Sequence, residues 1–314
     1  MLDPALSTMW MQNRHQSLAE FFDAARDLGF ETFELNRSVT QELLQGASLP
    51  PGAILSVHAP CPTNADTEAA QVSAIDKEER AMALEAVTAT IRLAEETGAG
   101  AIVLHPGRVD VNPELERELR ALYDQAHKGS DRYDDLKAEL VEARARNAER
   151  YLDATRWSLD RLARIADSAG VRIGLENRFF YREIPLPHEL DLILQELAGP
   201  VGFWFDTGHA YVQEALGFVH HAEWLDGFDE HLIGVHLHDV QVVPQSSDTD
   251  QPPAQDAALR DHIIAGTGVV DFTEVLRCTT DSVLVTCEFD WYHSPEQVSA
   301  GLDHLREIGF GTDR

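Results

Sequence analysis

Cysteine is scarce. The chain has three in 314 residues: Cys61, Cys278 and Cys287. They are far apart, odd in number and form no CxxC pair, which argues against a disulfide framework and fits a reduced, cytoplasmic protein. Lysine is nearly absent, with three residues against twenty-two arginines. Positive charge is in deficit altogether: 25 basic residues face 54 acidic ones, a formal net charge of −29. Affinity for DNA comes largely from Lys and Arg neutralising phosphates, so such a surface argues against nucleic acid and against anionic membrane. The acid excess itself reads as a strongly solvated surface and carries no information on fold. No window holds the 18 or so consecutive apolar residues that a membrane span needs. The first fifteen residues, MLDPALSTMWMQNRH, lack the basic start, apolar run and small-residue cleavage site of a secretion signal. A cytoplasmic location without membrane association is the expectation. No organic-cofactor motif is present: no GxGxxG follows the first strand candidate, and GTGVVDF (266–272) lacks the Lys and Ser/Thr of a P-loop.

What is present is alternation. Short apolar stretches read as strands at 5–10, 30–35, 53–58, 101–105, 171–176, 201–206, 232–238 and 282–288. They are near-continuous apolar runs, as in parallel strands covered on both faces. Helical patterns lie between them at 17–30, 77–100, 147–170 and 294–309, the last opened by Ser294 and Pro295. Eight strands with intervening helices over 314 residues predict a single-domain α/β chain, a (β/α)8 TIM barrel over 1–314. An open doubly wound sheet is second. The excess length falls in a charged helical insertion after strand four, at about 110–146, expected as a solvated helical hairpin, with a lid over the barrel mouth as the alternative. A polar, Pro-rich stretch at 242–261 reads as a long loop after strand seven.

In such a barrel, reacting groups come from the C-terminal ends of the strands. Those positions carry His58 in SVHAP, His105 in VLHPG, Glu176 in GLEN, Asp206 and His209 in WFDTGHA, His236, His238 and Asp239 in GVHLHDV, His262 in DHIIAGTG, and Glu288 in VTCEFD. One strand-end His or Asp is commonly a cap or a hydrogen-bonded structural group. A set made only of His, Asp and Glu differs. Three carboxylates converging on one barrel mouth repel strongly and stay ionised together only around a cation. Imidazole with carboxylate suits a divalent ion such as Zn, Mn or Co. His236 and His238 share one strand face, so both can point inward.

The set VHAP, LHPG, LENR, FDTGHA, VHLHD, HIIAGTGVVDF and CEFD, in order from about 53 to 290, resembles the xylose-isomerase-like TIM barrel superfamily. That group includes sugar isomerases, sugar 3-epimerases, inosose dehydratases and class II AP endonucleases. The resemblance implies a metal site of Glu176, Asp206, His236 and Glu288, with Mg added to the candidate ions. It implies Glu176 and Glu288 as the pair that moves protons next to a carbonyl. The expected function is therefore a metal-dependent isomerase or epimerase of a small sugar, polyol or sugar phosphate, in carbohydrate metabolism. The alternatives are a zinc-dependent AP endonuclease-type phosphodiesterase and a dehydratase acting on a keto-polyol. His58, His105, His209 and His262 fall where the endonuclease branch places ligands for two further zinc ions; His238 joins them as a second-metal or substrate-binding candidate. That branch has an aspartate two residues before the last histidine, where this chain has Arg260, with Asp261 one step late. Members of the superfamily often pair through barrel faces, so a homo-oligomer is compatible with the resemblance.

Smaller signals have two readings each. Arg178 and Arg182 can clamp a substrate carboxylate or phosphate, or pair with surface acids. Trp10 and Trp291 can wall a sugar ring, whereas Trp204 reads as core. Glu34 is a substrate-bonding group or a salt-bridge partner. Cys287 alternates with Glu288 and faces outward. Phe179 to Tyr181 pack a loop, His220, His221 and His231 are ordinary, and 266–272 offers weak support for a phosphate site.

Overall fold

The computed structural model describes residues 3–64, 67, 69–197, 199–242 and 259–311. Eight parallel strands close into a barrel in chain order: β1 Ala5–Ser7, β2 Phe33–Leu35, β3 Ile54–His58, β4 Ala101–Leu104, β5 Arg172–Glu176, β6 Val201–Asp206, β7 Leu232–Leu237 and β8 Leu284–Cys287. The first strand is shorter than 5–10 because Thr8–Met11 turn into a 3-10 helix capped by Ser7.

The period of two along each strand sorts its side chains. Val57, Leu175, Phe205, Val235, Leu237 and Cys287 face outward into the main core beneath the helices. His58, Glu176, Asp206, His236, His238 and Glu288 alternate with them and so face the barrel axis. An inner layer of Ala101, Val103, Trp204, Ile233 and Leu284 fills the barrel below them. Trp204 fits because two neighbouring strands carry glycine: a Cβ at Gly174 would lie 2.8 Å from its ring, and one at Gly234 only 2.3 Å. The indole stacks edge-on to His236 at 5.1 Å, so it forms the floor of the site.

The helices form where the pattern places them. Lys77–Thr97 is capped by Asp76 and stops at Gly98, whose φ of 73° an L side chain rarely adopts. The insertion differs from expectation in one respect. Pro113–Asp124 is followed by one continuous 39-residue helix, Asp131–Ala169, about 58 Å long. The separate helix expected from 147 is its second half, since no Gly or Pro interrupts 131–169. Nor is the hairpin merely solvated. Leu119, Tyr123, Tyr133, Leu136 and Leu140 pack on Val212 and Leu216 in a second core. A buried ion pair, Arg144 to Glu189 at 2.7 Å, ties the long helix to Pro187–Glu196. Of the expected loop 242–261, residues 243–258 lie outside the described residues. Its ends pair as antiparallel strands, Asp239–Val242 with Leu259–Ile263. No helix among the described residues is long and apolar enough to cross a membrane.

Candidate metal centre

Four strand ends converge. Glu176 from β5, Asp206 from β6, His236 from β7 and Glu288 after β8 each present one ligand atom, all within 4.8 Å of one another, and all four residues are buried. His236 Nδ1 lies 3.3 Å from Glu288 Oε2 and 3.7 Å from both Glu176 Oε1 and Asp206 Oδ2. It is buried and makes no hydrogen bond. Three carboxylates and one free imidazole nitrogen are a donor set suited to a divalent ion. The residues present fit such an ion.

Neighbouring groups aim these side chains. His236 Nε2 is 3.0 Å from Glu34 Oε2, and Ser56 Oγ donates to that same oxygen at 2.7 Å. With Nε2–H donated to that carboxylate, Nδ1 is the nitrogen that faces the three carboxylates, where an ion would take the place of its proton. Glu34 is fully buried and engaged with His236 and Ser56, the salt-bridge side of its two readings. Asn177 and Asp206 exchange two bonds: Asn177 Nδ2 donates to the Asp206 carbonyl at 2.9 Å, and Asp206 N–H to Asn177 Oδ1 at 2.7 Å. The Asp206 carboxylate caps Thr207–Ala215 by accepting from His209 N–H, and it meets His238 Nε2 at 2.9 and 3.0 Å. Thr207 Oγ1 donates its proton to the His238 carbonyl at 2.6 Å and lies 3.1 Å from the His236 carbonyl.

Two smaller clusters flank the quartet. On one side, His58 Nε2 and His105 Nε2 lie 3.3 and 2.6 Å from Glu176 Oε2. Arg178 joins them, its Nη1 at 3.3 Å from Glu176 Oε1 and 2.5 Å from His105 Nε2. On the other side, Asp261 Oδ2 lies 3.6 Å from His262 Nε2 and 3.8 Å from His209 Nε2. Asp261 thus lies near both histidines although it stands immediately before His262. His262 sits in the left-handed region at φ 51°, and the hairpin slips register between Asp239 and Gln241. His262 also stacks on His238 at 4.0 Å.

The charges are mutually dependent. Burial raises the Glu176 carboxyl, but His105, His209 and His236 outweigh it and hold the group well below the usual carboxylate range. Burial likewise opposes charge on Asp206, and His209 and His238 hold it well below its ordinary value. Burial pushes His236 down, yet Glu288 and Glu34 carry it well above the usual imidazole range. His105 goes the other way: burial and the Arg178 guanidinium hold it well below.

Several other candidates are placed elsewhere. Asp239 is saturated: Val240 and Val270 N–H donate to Oδ1, and Gly266 and Gly268 N–H to Oδ2, at 2.8 to 3.0 Å. The glycine-rich loop at 266–272 therefore offers these amides to an internal carboxylate and not to a phosphate. Trp10 is buried, its indole N–H donating to the His293 carbonyl at 3.0 Å, and Trp291 is exposed. Arg182 faces Glu116 at 3.9 Å, away from the quartet. Cys287 is buried in the outer core. His221 is clamped between Glu214 and Glu274. The contribution of Glu34 as an aiming group was visible in the sequence only as a strand-end acid.

A closed parallel barrel with an acid–imidazole quartet at its C-terminal mouth is a TIM barrel whose strand ends could hold a metal ion. The profile of the Xylose isomerase-like TIM barrel family matches residues 22–308, and the chain belongs to that family. No curated protein matches it at a significant level. Among solved structures it is similar to 3-keto-D-glucoside 4-epimerase, YcjR, from E. coli, at 14% identity and TM-score 0.63 over 98% of this chain and 100% of that one. It is similar to D-psicose 3-epimerase from Clostridium cellulolyticum at 12% identity and TM-score 0.60, over 98% and 99%. It is also similar to the TTHB071 protein of Thermus thermophilus, soaked with ZnCl2, at 21% identity and TM-score 0.58, over 98% and 99%. At these identities the likeness is one of fold.

Proposed function

We propose that the protein is a divalent-metal-dependent isomerase or epimerase of a small sugar or related hydroxy-carbonyl compound. The observation that carries this is His236 Nδ1: buried, without a hydrogen bond, and facing three carboxylates at 3.3 to 3.7 Å. Glu176, Asp206, His236 and Glu288 would hold the ion, which supplies Lewis-acid stabilisation of negative charge on the substrate oxygens. Glu176 and Glu288 come from strands on different sides of the mouth. One removes the proton from the carbon beside the carbonyl, and the other returns it. Trp204 closes the floor and limits water from below. The family and the epimerases of the same fold support this assignment.

The test is metal content with turnover. Protein purified without chelator is expected to carry about one divalent ion per chain and to interconvert ketoses from a panel. Glu176→Gln and Glu288→Gln should each lower kcat by about 10²- to 10⁴-fold. Full turnover by either variant would refute the assignment.

A zinc phosphodiesterase is the second reading, favoured by the approach of Asp261 to His209 and His262. Against it, Arg178 already brings a positive charge to the cluster of His58, His105 and Glu176, and the chain carries −29. Two or three zinc ions per chain, with chelator-sensitive cleavage of abasic DNA, would establish it.

A further inference from the structure

We infer that the furrow beside Glu176 is an anion subsite, so that the substrate carries an acidic group, carboxylate or phosphate. This rests on the reading above that sugar chemistry occurs at the quartet. The furrow is a cavity of about 200 Å³ walled by Arg37, Gln71, His105, Arg108, Arg178 and Glu183. These come from the loops that follow β2, β3, β4 and β5, all at the C-terminal mouth. Three guanidiniums there face one carboxylate, in a chain whose net charge is −29. Arg37 and Arg108 are exposed, and among the described residues neither has an ion-pair partner.

Backbone contacts hold the loop that carries Arg108. Arg108 N–H donates to Gln71 Oε1 at 2.9 Å, and the Arg108 backbone lies opposite that of Glu183 in a two-residue antiparallel ladder, Gly107–Arg108 with Glu183–Ile184. Gly107 allows this approach: at φ 133°, a Cβ there would lie 2.1 Å from Ser73 Oγ. Arg178 is fixed from both ends, 3.3 Å from Glu176 and 3.5 Å from Glu183, yet its Nε is buried without a partner. Guanidinium is the bidentate partner of carboxylate and phosphate, and Arg178, held in place beforehand by Glu176 and Glu183, loses little on binding. A local positive field also offsets the overall negative charge that would turn an anionic substrate away.

Position and size agree. The furrow is lined by His105 and Arg178, which both touch the proposed ligand Glu176, so an acidic group bound there would lie next to the quartet. Ligand pockets for drug-sized molecules run from about 300 Å³ upward; this one is smaller and suits a terminal group. The close approach of His105 Nε2 to both Glu176 and Arg178 has a chemical consequence. One nitrogen can donate to the carboxylate or accept from the guanidinium, not both. An anion that engages Arg178 leaves His105 to Glu176.

The test is binding of inorganic phosphate and of D-glycerate to the full-length protein, by calorimetry at constant ionic strength in chloride. At least one should bind saturably, and which one binds separates phosphate from carboxylate. The Arg37→Ala/Arg108→Ala variant, which touches no quartet residue, should retain its metal content and weaken that binding at least tenfold. No binding of either probe, or binding that survives within twofold in the variant, overturns the proposal. Turnover of neutral ketoses by wild-type protein without binding of either probe would sink the subsite and leave the isomerase assignment standing. Binding lost in the variant, with no turnover of any neutral or acidic ketose, would do the reverse.

Discussion

Glu34→Gln is the sharpest probe of the proposed centre, because it leaves all four proposed ligands in place. Glu34 and His236 are both fully buried, with Nε2 and Oε2 3.0 Å apart. The carboxylate sets the imidazole tautomer and raises the basicity of Nδ1, the atom that faces Glu176, Asp206 and Glu288. The amide keeps an acceptor but not the charge, and it brings an N–H2 that the Ser56 hydroxyl, 2.7 Å from Oε2, must accommodate. Loss of such an outer partner typically lowers metal affinity about 10- to 100-fold, or roughly 1.4 to 2.7 kcal/mol. Ser56→Ala removes one neutral donor and should cost less, about 0.5 to 1.5 kcal/mol. The assay is competition for Mn²⁺ and Zn²⁺ against a chromogenic chelator at fixed pH, with circular dichroism to confirm folding. Asp206→Asn marks the effect of losing a ligand outright. Affinity within twofold of wild type in folded Glu34→Gln would refute the argument that Glu34 aims His236.

Three further expectations concern packing and charge. Gly234→Ala drives a methyl to 2.3 Å from the Trp204 ring; thermal unfolding should show about 1 to 3 kcal/mol of destabilisation, with weaker metal binding because His236 lies two residues on. Asp239→Asn removes the charge that accepts four backbone N–H groups; unfolding should report a loss of about 2 to 3 kcal/mol, and a smaller loss than about 1 kcal/mol would mean that the loop is held by other contacts. Burial lowers the pKa of His221, but Glu214 and Glu274 outweigh it and raise it above 6.5, while Glu214 is lowered by the same contact. The stability from protonated His221 is therefore fully present below its unfolded value and lost as pH rises through the raised one; that from Glu214 is lost as pH falls through its lowered one. His221→Gln should cost at most about 1 kcal/mol, roughly 2 °C, in the window between, and the difference in Tm from wild type should close at alkaline pH.

The barrel and its quartet were legible because a carboxylate or imidazole ending an apolar strand is an anomaly, and alternation with Leu175, Phe205, Leu237 and Cys287 says which way it points. What alternation does not say is what each acid meets once there. Glu34 gains its role from His236, 202 residues away. Asp261 lies 3.8 Å from His209, 52 residues away, beside a left-handed His262. The continuity of Asp131–Ala169 was readable from its lack of Gly and Pro, whereas its packing on Val212 and Leu216 depended on where the barrel put them. Three aspartates near the mouth show the physics most clearly. Asp239 has four amide donors, which satisfy its charge and make it a staple for a loop. Asp206 has one amide, His209 N–H, and otherwise meets imidazoles. Asp261 lies among His209 and His262 at ion-pair distance. A carboxylate surrounded by fixed N–H groups has no capacity left for an ion; one whose neighbours are imidazoles can exchange their protons for a metal. That distinction depends on loop backbone that arrives from elsewhere in the chain, and it separates structural acids from functional ones among residues that look alike in sequence.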